Sequence, residues 1–458
     1  MGGNARAAEA WLGRVRRGTG PIYLALVEAL EAAIREGELQ PGDQLPPQRA
    51  VAERLGVDFT TVTRAYGAAR TRGLVEGTVG RGTFVRAQAD EDEAGRIDLS
   101  MNLPPPPLGL SLAGLIKETT ARVLERTDAA TLMAYHPGAG TLGQKVAAAD
   151  WLAPVLGEAA PERLMVCAGA QAGLAAVMAA ISKPGDAVIC EPLTYPGMIA
   201  IARSQGLRLI PCPVDREGVE PEALARLCAA ERPAAIYLIP TLQNPTASTM
   251  GEARRRAVCE VARRAGTWIV EDDPYSRLLD APPPALARIA PERTFHVATL
   301  SKAISPGLRI AFLAAPEGEG EAVGATLRAG SLMAAPLMAA VVARWIREGR
   351  AEALLAGVKA EARARRGIAA RILPTARGGA DGLHVWLDLP AQRPADTLML
   401  AAERRGLSLV AADAFAVGPD RPDGVRISLG GASKRAVLEQ ALGVVADLLA
   451  GPPERVVV

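Results

Sequence analysis

The stretch Thr299–Arg309, TLSKAISPGLR, sets a lysine behind an apolar run, among hydroxyl residues, with an arginine seven positions further on. A lysine that captures an aldehyde as a Schiff base must first lose its proton, so it belongs in a partly desolvated pocket. If that aldehyde carries a phosphate, hydroxyls and an arginine belong close by. Thr294–Leu300 is apolar-rich and reads as a buried strand, which puts Lys302 just past a strand end with Thr299, Ser301 and Arg309 as candidate phosphate ligands. The chain has six lysines, and the other five sit in different settings. Lys117 and Lys145 fall on helical patterns, Lys183 in the turn SKPGD and Lys359 in an arginine-rich helix; Lys434 opens a helix with no arginine or glycine turn behind it. A surface lysine at a strand end would have the same neighbours, so the surrounding segments must decide.

Three upstream segments supply that context. Ile269–Tyr275, IVEDDPY, reads as a buried strand ending in two carboxylates, Asp272 and Asp273, either of which could also cap a helix. A pyridoxal ring acts as an electron sink only while its nitrogen is protonated, and a neighbouring aspartate keeps it so. Pro240–Thr246, PTLQNPT, follows the apolar run Ala234–Ile239 and offers the amide of Asn244 at a strand end, although Asn-Pro also makes ordinary turns. Glu191–Gly197, EPLTYPG, offers Tyr195 as a ring able to stack on a cofactor face or simply to pack.

In this order, the segments resemble the fold-type I, aspartate-aminotransferase-like pyridoxal 5'-phosphate enzymes over roughly residues 97–449. The resemblance implies that Lys302 carries the cofactor, that Asn244 and Tyr275 hydrogen-bond its ring oxygen, and that Asp272, three residues before Tyr275, pairs with its ring nitrogen. It implies that Gly169-Ala170-Gln171 forms a small-residue turn whose N–H groups at a helix start hold the phosphate, a setting that suits anions. It further implies that Tyr135, in YHPGAG, reaches the phosphate from a neighbouring subunit, and that Arg426, in VRISLG, grips an α-carboxylate as a bidentate fork.

The front of the chain follows other rules. Residues 21–37 place Ile22, Leu26, Ala29, Leu30, Ala33 and Ile34 on one helical face, stopped by Gly37. A short helix over Gln48–Leu55, a turn at Gly56 and a second helix from about Thr60 to Arg72 come next; LVEGTVGRGTFV, residues 74–85, then reads as two short strands about a glycine turn. Helix, helix-turn-helix and wing make a winged helix. The segments LPPQRAVAERLGV, TVTRAY, GLVEG and GRGTFV resemble the GntR-type DNA-binding domain. That resemblance implies that Thr60, Thr61 and Arg64 lie on or beside the helix that reads the major groove, that Arg49 meets phosphate, and that Arg81-Gly82 tips the wing. Asp58-Phe59 stands where many members have Ser-Arg, so one cationic contact is missing, and Arg64 is the expected substitute. Residues 1–86 hold twelve arginines, no lysine and nine acids, a mild positive excess that suits nucleic acid.

Composition agrees with joined modules. A length of 458 residues exceeds one domain, and 49% hydrophobic residues suffice for a large core. The net charge of +2 leaves the partners open. Five scattered cysteines without CxxC spacing fit buried free thiols, not a disulfide framework or a metal site. The expectation is no secretion signal and no membrane span. The resulting fold class is α/β, an N-terminal winged helix-turn-helix at 14–86, an acidic linker at 87–96, an aminotransferase-like large domain with its N-terminal arm at 97–348 and a small C-terminal domain at 349–458. The linker, AQADEDEAGR, spans at most roughly 35 Å when extended.

A winged helix joined to an aminotransferase-like domain resembles the MocR/GabR/PdxR branch of GntR regulators. That resemblance implies a cytoplasmic transcription factor, associated with the nucleoid when on DNA, that holds pyridoxal 5'-phosphate at Lys302 and answers to the cofactor or to an amine or amino-acid effector. It also implies a double-stranded operator as partner and a homodimer, with domain swapping compatible with the short linker. The second reading is a working aminotransferase that carries a DNA-binding head, since the residues for the chemistry are all present.

Overall fold

The computed structural model describes residues 11–15, 21–35, 38–39, 42–78, 82–85, 96–136, 138–390, 394–419 and 422–451. The chain divides into two compact units, Met1–Gly95 and Arg96–Val458. Gly37, Arg81 and the linker residues 87–95 lie outside the described residues.

In the first unit, α1 (Ile22–Arg35) turns Leu26, Val27, Leu30 and Ala33 into a core shared with Trp11 and Leu12. Their three- and four-residue spacing puts them on one helix face. α2 (Gln48–Leu55) ends at Gly56, whose φ of 59° lets its N–H return to the carbonyls of Ala52 and Glu53; a residue with a Cβ adopts that conformation at a cost. α3 (Phe59–Thr71) begins one residue before the expected Thr60, because the carboxylate of Asp58 accepts from the Thr60 N–H at 2.7 Å and caps the helix. β1 (Val75–Thr78) and β2 (Gly82–Val85) form the antiparallel wing, with Val75 opposite Val85. The buried Tyr66 hydroxyl donates to the Pro46 carbonyl at 2.8 Å and fastens α3 to the turn before α2.

The second unit begins with β3 (Ile97–Asp98) and is built on β4 (Leu164–Cys167), α4 (Ala170–Ile181), β5 (Ala187–Cys190), β6 (Arg208–Pro211), β7 (Ala235–Leu238), β8 (Trp268–Asp273), β9 (Thr294–Thr299) and β10 (Ala311–Ala314). The seven longer strands form one sheet in the order β4-β10-β9-β8-β7-β5-β6; β10 runs antiparallel to both neighbours and every other adjacent pair is parallel. The central strands are continuous apolar runs because helices cover both faces of the sheet. Strand periodicity sends successive residues to opposite sides. Val188, Tyr237 and Val270 join a core with Leu174 and Val177 of α4, whereas Ile189, Ile236 and Ile269 join a second core with Leu224 and Val258 of the helices Pro221–Glu231 and Glu252–Ala265.

A 23-residue helix, α5 (Arg350–Ile372), runs from the large core, to which it gives Leu354, Leu355 and Val358, into the C-terminal lobe, where Ala369 packs. That lobe holds β11 (His384–Asp388), β12 (Leu407–Ser408), β13 (Val410–Ala411) and β14 (Gly424–Ser428), with β14 antiparallel between β11 and β13. β3 of the arm pairs with β12, and Leu99 is buried in the lobe's own core, so the arm's first strand packs with the C-terminal lobe. All five cysteines are buried and free. Among the described residues, no helix is long and apolar enough to cross a membrane.

Candidate functional site

The segments singled out by sequence end at one edge of the large sheet. β4, β5, β7, β8 and β9 run the same way, so Gly169, Tyr195, Asn244, Asp272 and Lys302 all follow or close the C-terminal ends of parallel strands, where open α/β sheets present their crevices.

Lys302 donates from Nζ to the backbone carbonyl of Asn102. Burial and then the nearby Arg426 charge lower its pKa to about 8, with Asp272 acting in the opposite direction. Asp272 is 4% exposed and accepts from the Tyr237 hydroxyl at 2.6 Å. Its pKa is pushed up to about 7, chiefly by burial; the Tyr237 hydrogen bond works against the rise and the Asp273 charge adds to it. A carboxylate this deep is held ionised by a cation against it, which is what a protonated pyridine nitrogen supplies, so Asp272 fits the cofactor that the sequence implies.

Strand parity separates the two candidate carboxylates. Asp272 shares its face of β8 with Val270, on the side of the α4 core, while Asp273 faces the other way with Glu271. Asp273 accepts from the Ser276 N–H at 2.9 Å and lies 3.6 Å from His296, which meets Glu271 at 2.9 Å. This buried cluster, with Arg255 3.5 Å from Glu271, fastens the sheet on the side opposite Asp272.

Asn244 and Tyr275 come together through the C-terminal lobe and the arm. Asn244 Oδ1 accepts from Arg426 at 2.7 Å, and Arg426 also donates to the Ser100 carbonyl while its guanidinium lies 4.9 Å from the Phe415 ring. The Tyr275 oxygen accepts from Asn102 Nδ2 at 2.8 Å, and the same amide lies 3.0 Å from His384 Nδ1. His384 Nε2 lies 3.0 Å from the Gln243 carbonyl; burial lowers the His384 pKa to about 3, so the neutral ring donates from Nε2 and accepts at Nδ1. The Asn244 amide nitrogen and the Tyr275 hydroxyl proton keep no protein partner among the described residues and are free to donate to a ring oxygen.

The opposite end of the site suits a phosphate. Gly169 caps α4 with φ 90° and without a side-chain cap bond; a Cβ there would stand 2.7 Å from an Arg309 nitrogen. A side chain there would strain the backbone and displace the Arg309 guanidinium from beside the first N–H groups of α4, at Ala170 and Gln171. Arg309 is exposed, in the left-handed region at φ 51°, and donates to the Ala168 carbonyl at 3.3 Å. Ser301 is partly exposed beside it. Thr299 is 7% exposed and its oxygen caps the short helix Leu300–Ala303 by accepting from the Ser301 N–H at 3.1 Å. The half-buried Tyr195 packs near Gln171 across Gly197, where a Cβ would fall 2.2 Å from both side chains. Tyr135 is 80% exposed and makes no hydrogen bond with any of these residues, among those described.

Sequence reading did not find Asn102, Tyr237 or His384. Asn102 and His384 carry a signal, an asparagine in the SMN arm and one of only three histidines in the chain, but their pairing depends on two segments 282 residues apart.

In the head, Arg49, Thr60 and Arg64 are exposed and Thr61 is half-buried. Arg64 lies over the Tyr23 ring at 4.2 Å and Arg49 sits 6.0 Å from the Phe59 ring. Asp58 and Phe59, the apparent departures, thus act as helix cap and as support for Arg49, while the exposed Arg64 lies over a ring of α1. Gly82 opens β2 with φ 112°.

A regulator head and an aminotransferase fold are both recognisable at the family level. The chain belongs to the aminotransferase class I and II family, whose model matches residues 96–444, and through a match to the bacterial regulatory proteins of the gntR family over residues 22–85 it falls in the MocR-type branch of HTH-type transcriptional regulators. It is similar to the uncharacterized HTH-type transcriptional regulator YdeF of Bacillus subtilis, 31% identical over 96% of each chain. It is also similar to the probable rhizopine catabolism regulatory protein MocR of Rhizobium meliloti, 31% identical over 65% of this chain and 66% of that one. The crystal structure of LysN, an α-aminoadipate aminotransferase of Thermus thermophilus complexed with N-(5'-phosphopyridoxyl)-L-leucine, superposes with a TM-score of 0.71 at 24% identity, over 83% of this chain and 96% of LysN, which establishes the shared fold.

Proposed function

We propose that this transcriptional regulator binds pyridoxal 5'-phosphate through Lys302 and senses the cofactor or a carboxylate-bearing amine with its aminotransferase-like unit. The observation that carries the reading is the convergence of Lys302, Asp272, Asn244 and Tyr275 at one edge of the large sheet, with Arg426 of the C-terminal lobe bonded to Asn244 and a lysine pKa lowered to about 8. When bound, the cofactor supplies an aldehyde that reacts with amines and a ring that withdraws electrons. Lys302 contributes an amine that loses its proton near neutral pH. Asp272 holds a positive charge at the ring nitrogen, and Asn244 and Tyr275 donate to the ring oxygen. Tyr195 covers the ring face. Gly169, Ala170, Gln171, Ser301 and Arg309 bind the phosphate, with Thr299 shaping the turn that carries Ser301 and Tyr135 arriving from a second subunit of a homodimer.

Arg426 takes the effector's carboxylate. Its two terminal nitrogens are engaged with Asn244 and the Ser100 carbonyl and its Nε has no partner, so an arriving carboxylate would draw it from contacts that join the lobes. That exchange favours a different lobe arrangement and, through the short linker, a different spacing of the two heads on an operator, which Arg49, Thr60, Thr61, Arg64, Arg81 and Gly82 contact. A regulator of this kind works in the cytoplasm.

An absorbance spectrum of the full chain with added pyridoxal 5'-phosphate tests the reading. A band near about 420 nm, absent in Lys302→Ala and shifted by one class of amino acid, is expected. No band in the wild type would remove the sensor chemistry. Complete turnover of amino donor and keto acid at about 1 to 1000 per second would instead favour a working aminotransferase.

A further inference from the structure

A second cavity of about 350 Å³ lies in the Arg96–Val458 unit, lined among others by Glu191, Leu193, Val214, Arg216, Gln243 and Arg377. Its size is within the range of small-molecule sites. Lys302 and Arg426 are not among its lining residues, so it is distinct from the site above. Two buried polar atoms of its lining residues make no well-formed hydrogen bond, and one lining arginine is exposed and unpaired among the described residues. Glu191 is 5% exposed; one carboxyl oxygen accepts from the Ile239 N–H at 3.1 Å, and the other makes no well-formed hydrogen bond, with the Thr194 hydroxyl, also unpartnered, as its polar neighbour. Arg377 pairs with Asp388 through a terminal nitrogen, but its Nε is buried and unpartnered. Arg216 is exposed and makes no ion pair among the described residues. Buried polar atoms without partners are uncommon in folded proteins, and here two of them, on Glu191 and Arg377, belong to residues that line one space together with the apolar Leu193 and Val214.

We propose that this cavity is a second ligand site, for a compact aryl or alkyl carboxylate whose anionic group meets Arg216 and Arg377 and whose polar hydrogen meets Glu191. Burial pushes the Glu191 pKa up to about 7, so its free oxygen can accept from such a donor or share a proton with it near neutral pH. The site is linked to the first by a single turn. The Gln243 side chain lines the cavity and donates to the Leu193 carbonyl at 2.7 Å, while the next residue, Asn244, accepts from Arg426 on the other side. Filling the cavity therefore bears on the residue that holds Arg426, which gives a regulator a second input.

Calorimetric titration of the full chain with indole-3-acetate, salicylate and 8-hydroxyoctanoate tests this. At least one is expected to bind saturably below about 10 mM. Binding should weaken about tenfold or more in Arg216→Ala, vanish in Val214→Trp, which adds bulk to the apolar wall, and persist in Arg426→Ala. Circular dichroism checks that each variant is folded. No saturable binding by any of the three overturns the proposal. So does binding unchanged in both Arg216→Ala and Val214→Trp, or binding lost in Arg426→Ala, which would place the probe in the first site.

Discussion

The head and the aminotransferase-like unit expose their candidate residues to opposite physical conditions. Asp272, Asn244, Tyr275 and Arg426 are all less than a tenth exposed, and each polar group there has a partner or an evident vacancy for one. Arg49, Thr60 and Arg64 stand in solvent, where leaving a donor unpaired costs little. Burial makes the first set interdependent: an aspartate in that position needs a cation, and an asparagine held by one atom points the other. Exposure leaves the second set free to be anything charged. A role can thus be reasoned from partners in the body, whereas in the head it must be separated experimentally from plain packing.

The sharpest way to break this contrast is Asp272→Asn. If the buried carboxylate offsets a ring charge, its removal costs about 3–5 kcal/mol, so affinity for pyridoxal 5'-phosphate should fall by at least about 100-fold in equilibrium titration. Asp273→Asn, on the opposite face, should change cofactor affinity far less and lower thermal stability through the Ser276 and His296 contacts. Equal losses in the two variants would show that strand parity does not assign the role.

The pH dependence of cofactor capture is the next largest effect. A lysine pKa lowered to about 8 means that the neutral amine is half populated there, whereas an ordinary lysine would need pH near 10.5. Capture followed at the long-wavelength band should accelerate about 50-fold between pH 6 and 8 and level off above. A rate still climbing tenfold per unit at pH 9.5 would mean that burial and Arg426 do not depress Lys302.

These two tests also mark what the sequence made legible. The order of Asn244, Asp272, Tyr275, Lys302 and Arg309 was legible through the resemblance to the aminotransferase family, and the parallel strands before or around Asn244, Asp272 and Lys302 end at one sheet edge. The resemblance favoured Asp272 over Asp273 by its spacing to Tyr275, and the pleat puts the two carboxylates on opposite faces of the strand. Asn102, Tyr237 and His384 were not legible: each gains its place only by packing, His384 from β11 and Asn102 from the arm, and no local pattern links them. Nor was the arm's pairing with β12, a contact across about 310 residues of sequence between two-residue strands that carry almost no periodic signal. In the head, the elements were legible but not the work of Asp58, because a capping carboxylate and a missing cation look alike until the helix start is known.

A smaller effect sharpens the head's side of the comparison. Tyr66 is its one buried hydroxyl with a defined partner among the described residues, the Pro46 carbonyl. Tyr66→Phe leaves that acceptor unpaired and should destabilise the head by about 1–3 kcal/mol, read as a shift of its unfolding transition in the full chain, with cofactor absorbance unchanged. A parallel loss of cofactor binding would join the two units energetically.

The smallest effect separates packing from recognition at Arg64. Its guanidinium covers the Tyr23 ring at 4.2 Å, which by itself contributes about 0.5–1 kcal/mol at an exposed site. If Arg64 also meets an operator phosphate, Arg64→Ala should weaken binding a few-fold across all sequences and lower the slope of log affinity against log salt by about 0.9, one phosphate's worth of counterions. If it reads a base, the loss should fall on one operator position and leave the slope nearly as it was. If it only packs, the slope and the operator preference both stay, and the unfolding transition alone moves. Tyr23→Leu supplies the control: it removes the ring but keeps the arginine, so a salt slope retained in Tyr23→Leu and lost in Arg64→Ala assigns the charge to DNA, and equal changes in both assign it to the fold.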